Sequence, residues 1–501
     1  MTIEQKKPEL WLLTGTQHLY GADTLESVAQ NSERIAEALE RSGKFAAKIV
    51  WKPILTGPDA IEQVCLAANV APQCAGVITW MHTFSPAKMW IAGLTRLQKP
   101  LAHLHTQFNR ELPWGEIDMD FMNLNQSAHG DREYGFIVAR LRIPRKVIVG
   151  HWQDAEVVEE LASWGRSALA LAESRKLKIA RFSGMNMREV AVTGGDRVEA
   201  QIKLGWSING YGIGDLAALI AEVSDAEVDR LVGEYEHSYA LASALKKGGE
   251  KREILRYAAR QEIAMRAFLV AGGFGAFTTT FEDLHGLKQL PGLACQRLMA
   301  DGYGFGAEGD WKTAALVRLG KVMTAGRPGG VSFIEDYTYH LVKGNERILG
   351  AHMLEVCPSI ARGTPSLEVH PLDIGGKSDP ARLVFEARPG SAVNTTLVDM
   401  GGRMRMIVAE LDVVEAEHAM PKLPTARAVW IPRPDFKRGA QAWIEAGGGH
   451  HSAFCQAVTA EEWADFAGMA GLEVVRIDDE LDLRALRNEL RWNDAAFQLG
   501  R

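Results

Sequence analysis

A chain of 501 residues, 47% hydrophobic and 24% charged, has the length for about three domains of roughly 150 residues each and can bury its cores without disulfides or a structural metal. Its 63 acidic and 56 basic residues give a formal charge of −7 with no basic stripe, and its five scattered cysteines (Cys65, Cys74, Cys295, Cys357, Cys455) form no CxxC pair, which argues against a nucleic-acid binder, a disulfide framework and a zinc–thiolate centre. No apolar run follows the first lysines and no uncharged apolar stretch approaches the ~18 residues of a membrane helix, so the expected address is the cytoplasm, with neither membrane nor nucleic acid as partner.

The predicted elements begin with a βα alternation. Leu10–Leu13, Lys48–Trp51, Gly76–Trp80 and Leu101–Leu104 are apolar runs of strand length, separated by stretches of helical periodicity. The first such stretch opens with Asp23 and Glu26 at capping-box spacing and carries Leu25, Val28, Ile35 and Leu39 on one face; Pro58–Asn69 and Ser85–Leu97 follow the same logic. This rhythm predicts a parallel, doubly wound sheet. Lys146–Gly150, a long helix over Asp154–Leu171 and the run Lys178–Arg181 carry it into a second α/β unit, helix-rich between Asp215 and Leu269. After about Arg327 strand-like runs between glycine turns take over: Ser332–Leu341, Arg347–Leu354, Arg382–Ala387, Asn394–Val398 and Arg405–Leu411, with Met400-Gly-Gly-Arg403 as a hairpin turn and a terminal helical segment from Ala460. The expected fold is two doubly wound α/β domains, N-terminal (1–175) and central (176–326), followed by a mostly β C-terminal domain (327–501).

Chemistry-bearing residues concentrate in the last two hundred. Glu308 sits between glycines just before a predicted helix near Lys312; Glu335 opens Glu-Asp-Tyr-Thr-Tyr-His; His352 follows Gly-Ala; His450 and His451 follow three glycines. Two carboxylates and two imidazoles suit a divalent ion of borderline hardness such as Mn²⁺, Co²⁺ or Fe²⁺, but their wide spacing does not itself gather them. A hairpin turn over Lys343–Glu346, centred on Gly344-Asn345, would pair Tyr337 with His352 and make Glu335 and His352 diagonal cross-strand neighbours, ~7–8 Å apart at the backbone. Taken alone, the pair fits a surface hairpin with ordinary polar side chains better than a ligand pair. The loop Gly15-Thr-Gln-His-Leu-Tyr-Gly21 lies where open α/β sheets bind ligands, but lacks a dinucleotide fingerprint and reads equally as a tight strand–helix turn. Asn123–Gly130 is a polar loop of the kind that suits sugar hydroxyls, though loops are polar anyway, and His82, His103 and His105 read as structural histidines.

Several longer blocks are more specific. Gln17-His-Leu-Tyr-Gly21, Trp80-Met-His-Thr-Phe-Ser-Pro-Ala-Lys-Met-Trp90, His105-Thr-Gln-Phe-Asn109, Asp118–Gln126, His151-Trp-Gln-Asp154, Met187–Thr193, Thr278–Gly286, Gly309–Ala315 and His352-Met-Leu-Glu-Val-Cys-Pro-Ser359 resemble the L-arabinose isomerases. The resemblance runs from the first strand to the double histidine; only the last fifty or so residues and some connections lack a specific motif. It implies metal ligands at Glu308, Glu335, His352 and His451, with His450 in support; Glu308 and Glu335 as the catalytic carboxylates; Gln17, Leu19 and Met187 in a sugar pocket; and Phe84, Gln126 and His129 supplied by a neighbouring subunit of a homohexamer. The implied activity is conversion of L-arabinose to L-ribulose through a metal-stabilised enediolate, the first step of bacterial-type arabinose catabolism. Mn²⁺ is the first choice of cofactor, with Co²⁺ or Fe²⁺ as substitutes, and D-galactose a possible second substrate. Another sugar isomerase, such as L-fucose isomerase, is the alternative. A sugar-binding module without catalysis would not need the four ligands together, and a metal-dependent aldolase or dehydratase is separable by its products.

Overall fold

The computed structural model describes residues 7–372, 374 and 376–499, the side chain of Gln498 excepted. The chain divides into two compact units, Met1–Ala172 and Glu173–Arg501. Among the described residues no helix is long and apolar enough to cross a membrane.

The first unit is built on strands β1 (Glu9–Gly15), β2 (Lys48–Trp51), β3 (Cys74–Met81), β4 (Leu101–His105) and β5 (Lys146–Val149), all parallel, in the order β2-β1-β3-β4-β5. β3 is buried at every position, as expected of a central strand covered by helices on both faces. The helix Ala22–Arg41 buries Val28, Ile35 and Leu39, the predicted face. Its start differs from the expected capping box: the helix begins at Ala22 with Gly21 as N-cap and no side-chain cap, so Asp23 lies inside the first turn, where its charge still favours the helix dipole. Ser85–Leu97 is not one helix but a 3-10 turn, Ala87–Trp90, followed by a short helix, Ile91–Arg96. Ser85 precedes a proline, which biases it away from the helical region, and Pro86 itself is extended (ψ 123), so no helix starts there; Ser85 instead accepts from the buried Trp90 indole at 3.0 Å.

The second unit opens with β6 (Lys178–Phe182), β7 (Ser207–Tyr211), β8 (Ala240–Leu241), β9 (Ala276–Thr278) and β10 (Gly304–Gly306). Four of these form a parallel sheet in the order β10-β9-β6-β7, with the helices Ile213–Glu222, Asp225–Ser238, Arg252–Gly272 and Gly292–Ala300 between them in the chain. The buried helix Trp311–Met323 then leads into β11 (Val331–His340), β12 (Arg347–Ala351), β13 (Ser366–Val369), β14 (Ala381–Val384), β15 (Gly390–Asp399), β16 (Met404–Val414), β17 (Arg427–Pro432), β18 (His451–Cys455) and β19 (Glu473–Ile477). The sheet order is β15-β18-β11-β12-β17-β16-β19, and a further β15–β16 pairing closes its first six strands on themselves. β8 joins β13 and β14 in a small third sheet. The α/β, α/β, mostly-β order is the one expected. The segment from Ala460 is not purely helical, because β19 separates the helices Ala460–Ala470 and Leu483–Leu499 by pairing parallel to β16.

The β11–β12 hairpin corrects the predicted register. The turn is Val342–Asn345, closed by Asn345 N donating to Val342 O at 2.9 Å, with Gly344 at its third position (φ +82), the place in such a turn that demands a left-handed residue. It therefore falls one residue earlier than expected. His340 pairs with Arg347 and Thr338 with Leu349; a bulge between Asp336 and Thr338 then sets Glu335 opposite Ala351.

Candidate metal centre

Three adjacent strands and one turn supply the polar side chains. In β11, Glu335 is paired on one side with Ala351 of β12 and on the other with His451 of β18. His352 is the residue after Ala351, so the bulged register still brings it beside Glu335: His352 Nε2 lies 3.9 Å from Glu335 Oε2. Glu308 arrives from the end of β10, where parallel sheets characteristically present functional groups, and the helix Trp311–Met323 that follows packs against β18. The turn is unusual: Glu308 itself has φ +58 and Gly309 φ +78, and a Cβ on Gly309 would come within 2.4 Å of Met185 O.

One ligand atom each from Glu308, His352 and His451 lies within 4.8 Å of the other two, with Glu335 beside them. Glu308 Oε2 is 3.8 Å from His451 Nε2. Both imidazoles are buried, His352 at 3% and His451 at 1% exposure, and the Nε2 of each has no hydrogen-bond partner. Two unpartnered buried nitrogens aimed at two carboxylates are a costly arrangement unless something electrophilic fills the space between them. The donor set, imidazole nitrogen with carboxylate oxygen, is the one a divalent first-row cation takes.

Each imidazole is held from behind by a carboxylate that sequence reasoning assigned no role. His352 Nδ1 donates to Glu355 Oε2 at 2.5 Å, and His451 Nδ1 donates to Asp310 Oδ2 at 3.2 Å. These bonds place a proton on Nδ1 and turn Nε2 toward the centre, the usual support for a metal-bound histidine. Asp310 also caps the helix, accepting from Lys312 N and Thr313 N at 3.1 Å each. The His-x-x-Glu spacing of 352 and 355, and an acid two residues past Glu308 at a helix start, were the available signals. Phe333, which sequence reasoning also passed over, packs edge-on against both rings, centroids 4.9 and 4.8 Å away.

The charges follow from this packing. Burial pushes the Glu308 carboxyl upward, but the hydrogen bond from His450 (Nε2 to Oε2, 3.3 Å) and the nearby imidazoles outweigh it, and the net shift is downward. Burial likewise opposes ionisation of Asp310, yet Lys312 and His451 hold its pKa at about 2. Burial lowers His451, which favours its neutral, ligating form.

The sugar-pocket residues expected from the resemblance fall on both units. Met187 lies beside Glu308, its N–H donating to Glu308 O at 3.1 Å. In the first unit, Gln17 and Leu19 follow β1 and Phe84 follows β3; Phe84 packs against His129 at a tilt of 36° with centroids 4.5 Å apart, and Gln126 accepts from Tyr20 at 3.3 Å. Leu19 is 81% exposed, a leucine with little of its own unit to cover it.

Comparison with known proteins covers almost the whole chain. Family models described as the L-arabinose isomerase N-terminal, central and C-terminal domains match residues 4–176, 178–326 and 330–473. The L-arabinose isomerase of Geobacillus stearothermophilus is 61% identical over 490 residues, 98% of each chain. Those of Herpetosiphon aurantiacus and Thermotoga neapolitana are each 58% identical, over 100% and 99% of this chain and 99% of their own. Motif blocks, three domain models and full-length identity agree, and the chain is a member of the L-arabinose isomerase family.

Proposed function

We propose that this protein interconverts L-arabinose and L-ribulose at the centre formed by Glu308, Glu335, His352 and His451. The observation that carries the reading is the pair of buried, unpartnered Nε2 atoms facing Glu308 and Glu335, in a chain whose relatives bear that activity in their names. L-Fucose isomerisation, the alternative, is not favoured by those names.

Glu308, Glu335, His352 and His451 would hold a divalent cation, Mn²⁺ first and Co²⁺ or Fe²⁺ as substitutes, which supplies Lewis-acid polarisation of the sugar's oxygens when bound. The chemistry asked of the chain itself is proton movement. Aldose–ketose conversion moves one proton from C2 to C1 and another from O2 to O1 through an enediolate, and a carboxylate positioned on one face of the sugar can carry the carbon-bound proton in both directions. Glu308 and Glu335 are the two carboxylates assigned to this shuttle. Glu355 and Asp310 keep the imidazoles oriented.

For the sugar we assign Gln17, Leu19 and Met187, together with Phe84, Gln126 and His129 from a neighbouring subunit of a homohexamer. The domain division proposed is 1–175, 176–326 and 327–501. A cytoplasmic address is supported by five buried cysteines, all free. The direct test is ketose formation from L-arabinose with added Mn²⁺, run beside L-fucose and D-galactose. Faster turnover of L-fucose would overturn the substrate assignment.

The shared site has its own test. Mixing Glu308→Gln with His129→Ala, each inactive alone, and allowing subunits to exchange should restore part of the activity, because some interfaces then combine two intact halves. No recovery after demonstrated exchange places all these residues in one chain's pocket.

A further inference from the structure

Residues 183–196, between β6 and the helix Arg197–Leu204, have no regular secondary structure, yet this segment carries Met187. Two of its non-glycine residues, Ser183 and Glu189, are left-handed at φ 80 and 62, so local backbone preference does not hold it in place. It is held by the turn that bears Glu308. Met187 N donates to Glu308 O at 3.1 Å, and Asn186 Nδ2 donates to Gly309 O at 3.1 Å and to Thr193 O at 3.0 Å.

The segment is also tied by Arg188 N donating to Glu282 Oε2 at 2.7 Å and by Arg181 donating to Asn186 Oδ1 at 2.8 Å, but the attachment that reaches the metal centre is a lysine. Lys312 is 1% exposed, an uncommon state for this residue type. Its ammonium donates to Val192 O and Thr193 O at 3.0 Å each and to Gly194 O, three consecutive carbonyls of the one segment. An ammonium has three protons and no acceptor, so its donor capacity is fully committed there. On its other side Nζ lies 3.7 Å from Asp310 Oδ1, while Asp310 Oδ2 accepts from His451 Nδ1. Contacts therefore run without a gap from the segment, through Lys312 and Asp310, to a ligand imidazole.

We propose that Lys312 is a positioning residue that latches residues 185–194 onto the metal centre, so that the segment bearing Met187 and the imidazole of His451 are set by the same buried charge pair. The part of this inference that concerns the sugar rests on the assignment of Met187 above; the ordering of the segment does not.

Lys312→Met keeps most of the apolar stem and removes every donor. In the metal-free variant, amide hydrogen exchange over residues 185–194 should accelerate by roughly tenfold or more, while β6, β9 and the helix Trp311–Met323 keep their protection. With Mn²⁺ added, KM for L-arabinose should rise about tenfold, and the Mn²⁺ concentration that gives half-maximal activity should rise with it, because the segment and the His451 imidazole lose the same support. Lys312→Gln, which keeps two N–H donors on a shorter stem, should lie between the two and stands in if the methionine variant does not fold. Unchanged exchange in the segment, or acceleration spread evenly over residues 178–323, would overturn the latch. Local acceleration with an unchanged KM supports the latch and removes Met187 from the sugar site.

Discussion

Glu308→Gln and Glu335→Gln are each expected to lower turnover of L-arabinose by about 10²-fold or more, the scale of a lost acid–base group. Glutamine keeps the shape and can still accept from His450, so the fold and the Glu308 turn should survive; what disappears is the charge and the capacity to carry a proton. The two histidines that follow the triple glycine give a matched control. His451 is buried, its Nε2 is unpartnered and its Nδ1 is tied to Asp310, whereas His450 is partly exposed and donates to Glu308. His451→Ala should therefore be more damaging than His450→Ala. Steady-state kinetics on the four variants, with circular dichroism to show that each is folded, checks the order. Near-normal turnover in either glutamine variant, or a milder His451→Ala, would reassign the roles.

Exhaustive chelation is expected to abolish turnover, and Mn²⁺ to restore it. The same ion should stabilise the fold, because it binds the native arrangement and not the unfolded chain: at a concentration a hundredfold above its dissociation constant the gain is about 2.7 kcal/mol. The structural reason is a concentration of negative charge. Glu308, Glu335, Asp310 and Glu355 surround two imidazoles whose inward nitrogens have no hydrogen-bond partner, and a cation offsets both the repulsion and the lost hydrogen bonds. Thermal melts of the chelated protein titrated with Mn²⁺, alongside rate measurements, separate the two effects. Full activity in protein shown to be metal-free would remove the ion from the mechanism.

The parts of this fold that were legible in the sequence are those whose signal is local. β2 and β4 announce themselves as short apolar runs, and the helices Pro58–Val70 and Ala155–Ser174 by period and length. β9 and β10, three residues each and the latter Gly-Phe-Gly, carry no periodicity at all, yet β10 delivers Glu308. β18 was missed because its pairing with β11 joins distant parts of the chain, and no local pattern reports such a pairing. Hence the approach of Glu335 to His352, across a single hairpin, could be argued from spacing, although the turn lay one residue earlier and a bulge altered the route. The approach of His451 to Glu335 could come only from family resemblance. Glu355 and Asp310 were overlooked for a different reason: an acid three residues after a histidine and an acid at a helix start look like ordinary surface charge until burial shows that they are not.

The backbone of Glu308 sets folding against function. A left-handed conformation costs an ordinary residue roughly 1–2 kcal/mol and costs glycine almost nothing. Glycine at 308 would relax the turn but would also give up the hydrogen bond from His450 and the attraction of the imidazoles that lowers the Glu308 pKa, so only the backbone favours it. A redesign that weighed backbone strain alone would replace the glutamate, and on the role proposed for Glu308 its product would fold without turning over sugar. Any effort to make this enzyme more robust has to hold position 308 constant and look for its gains elsewhere.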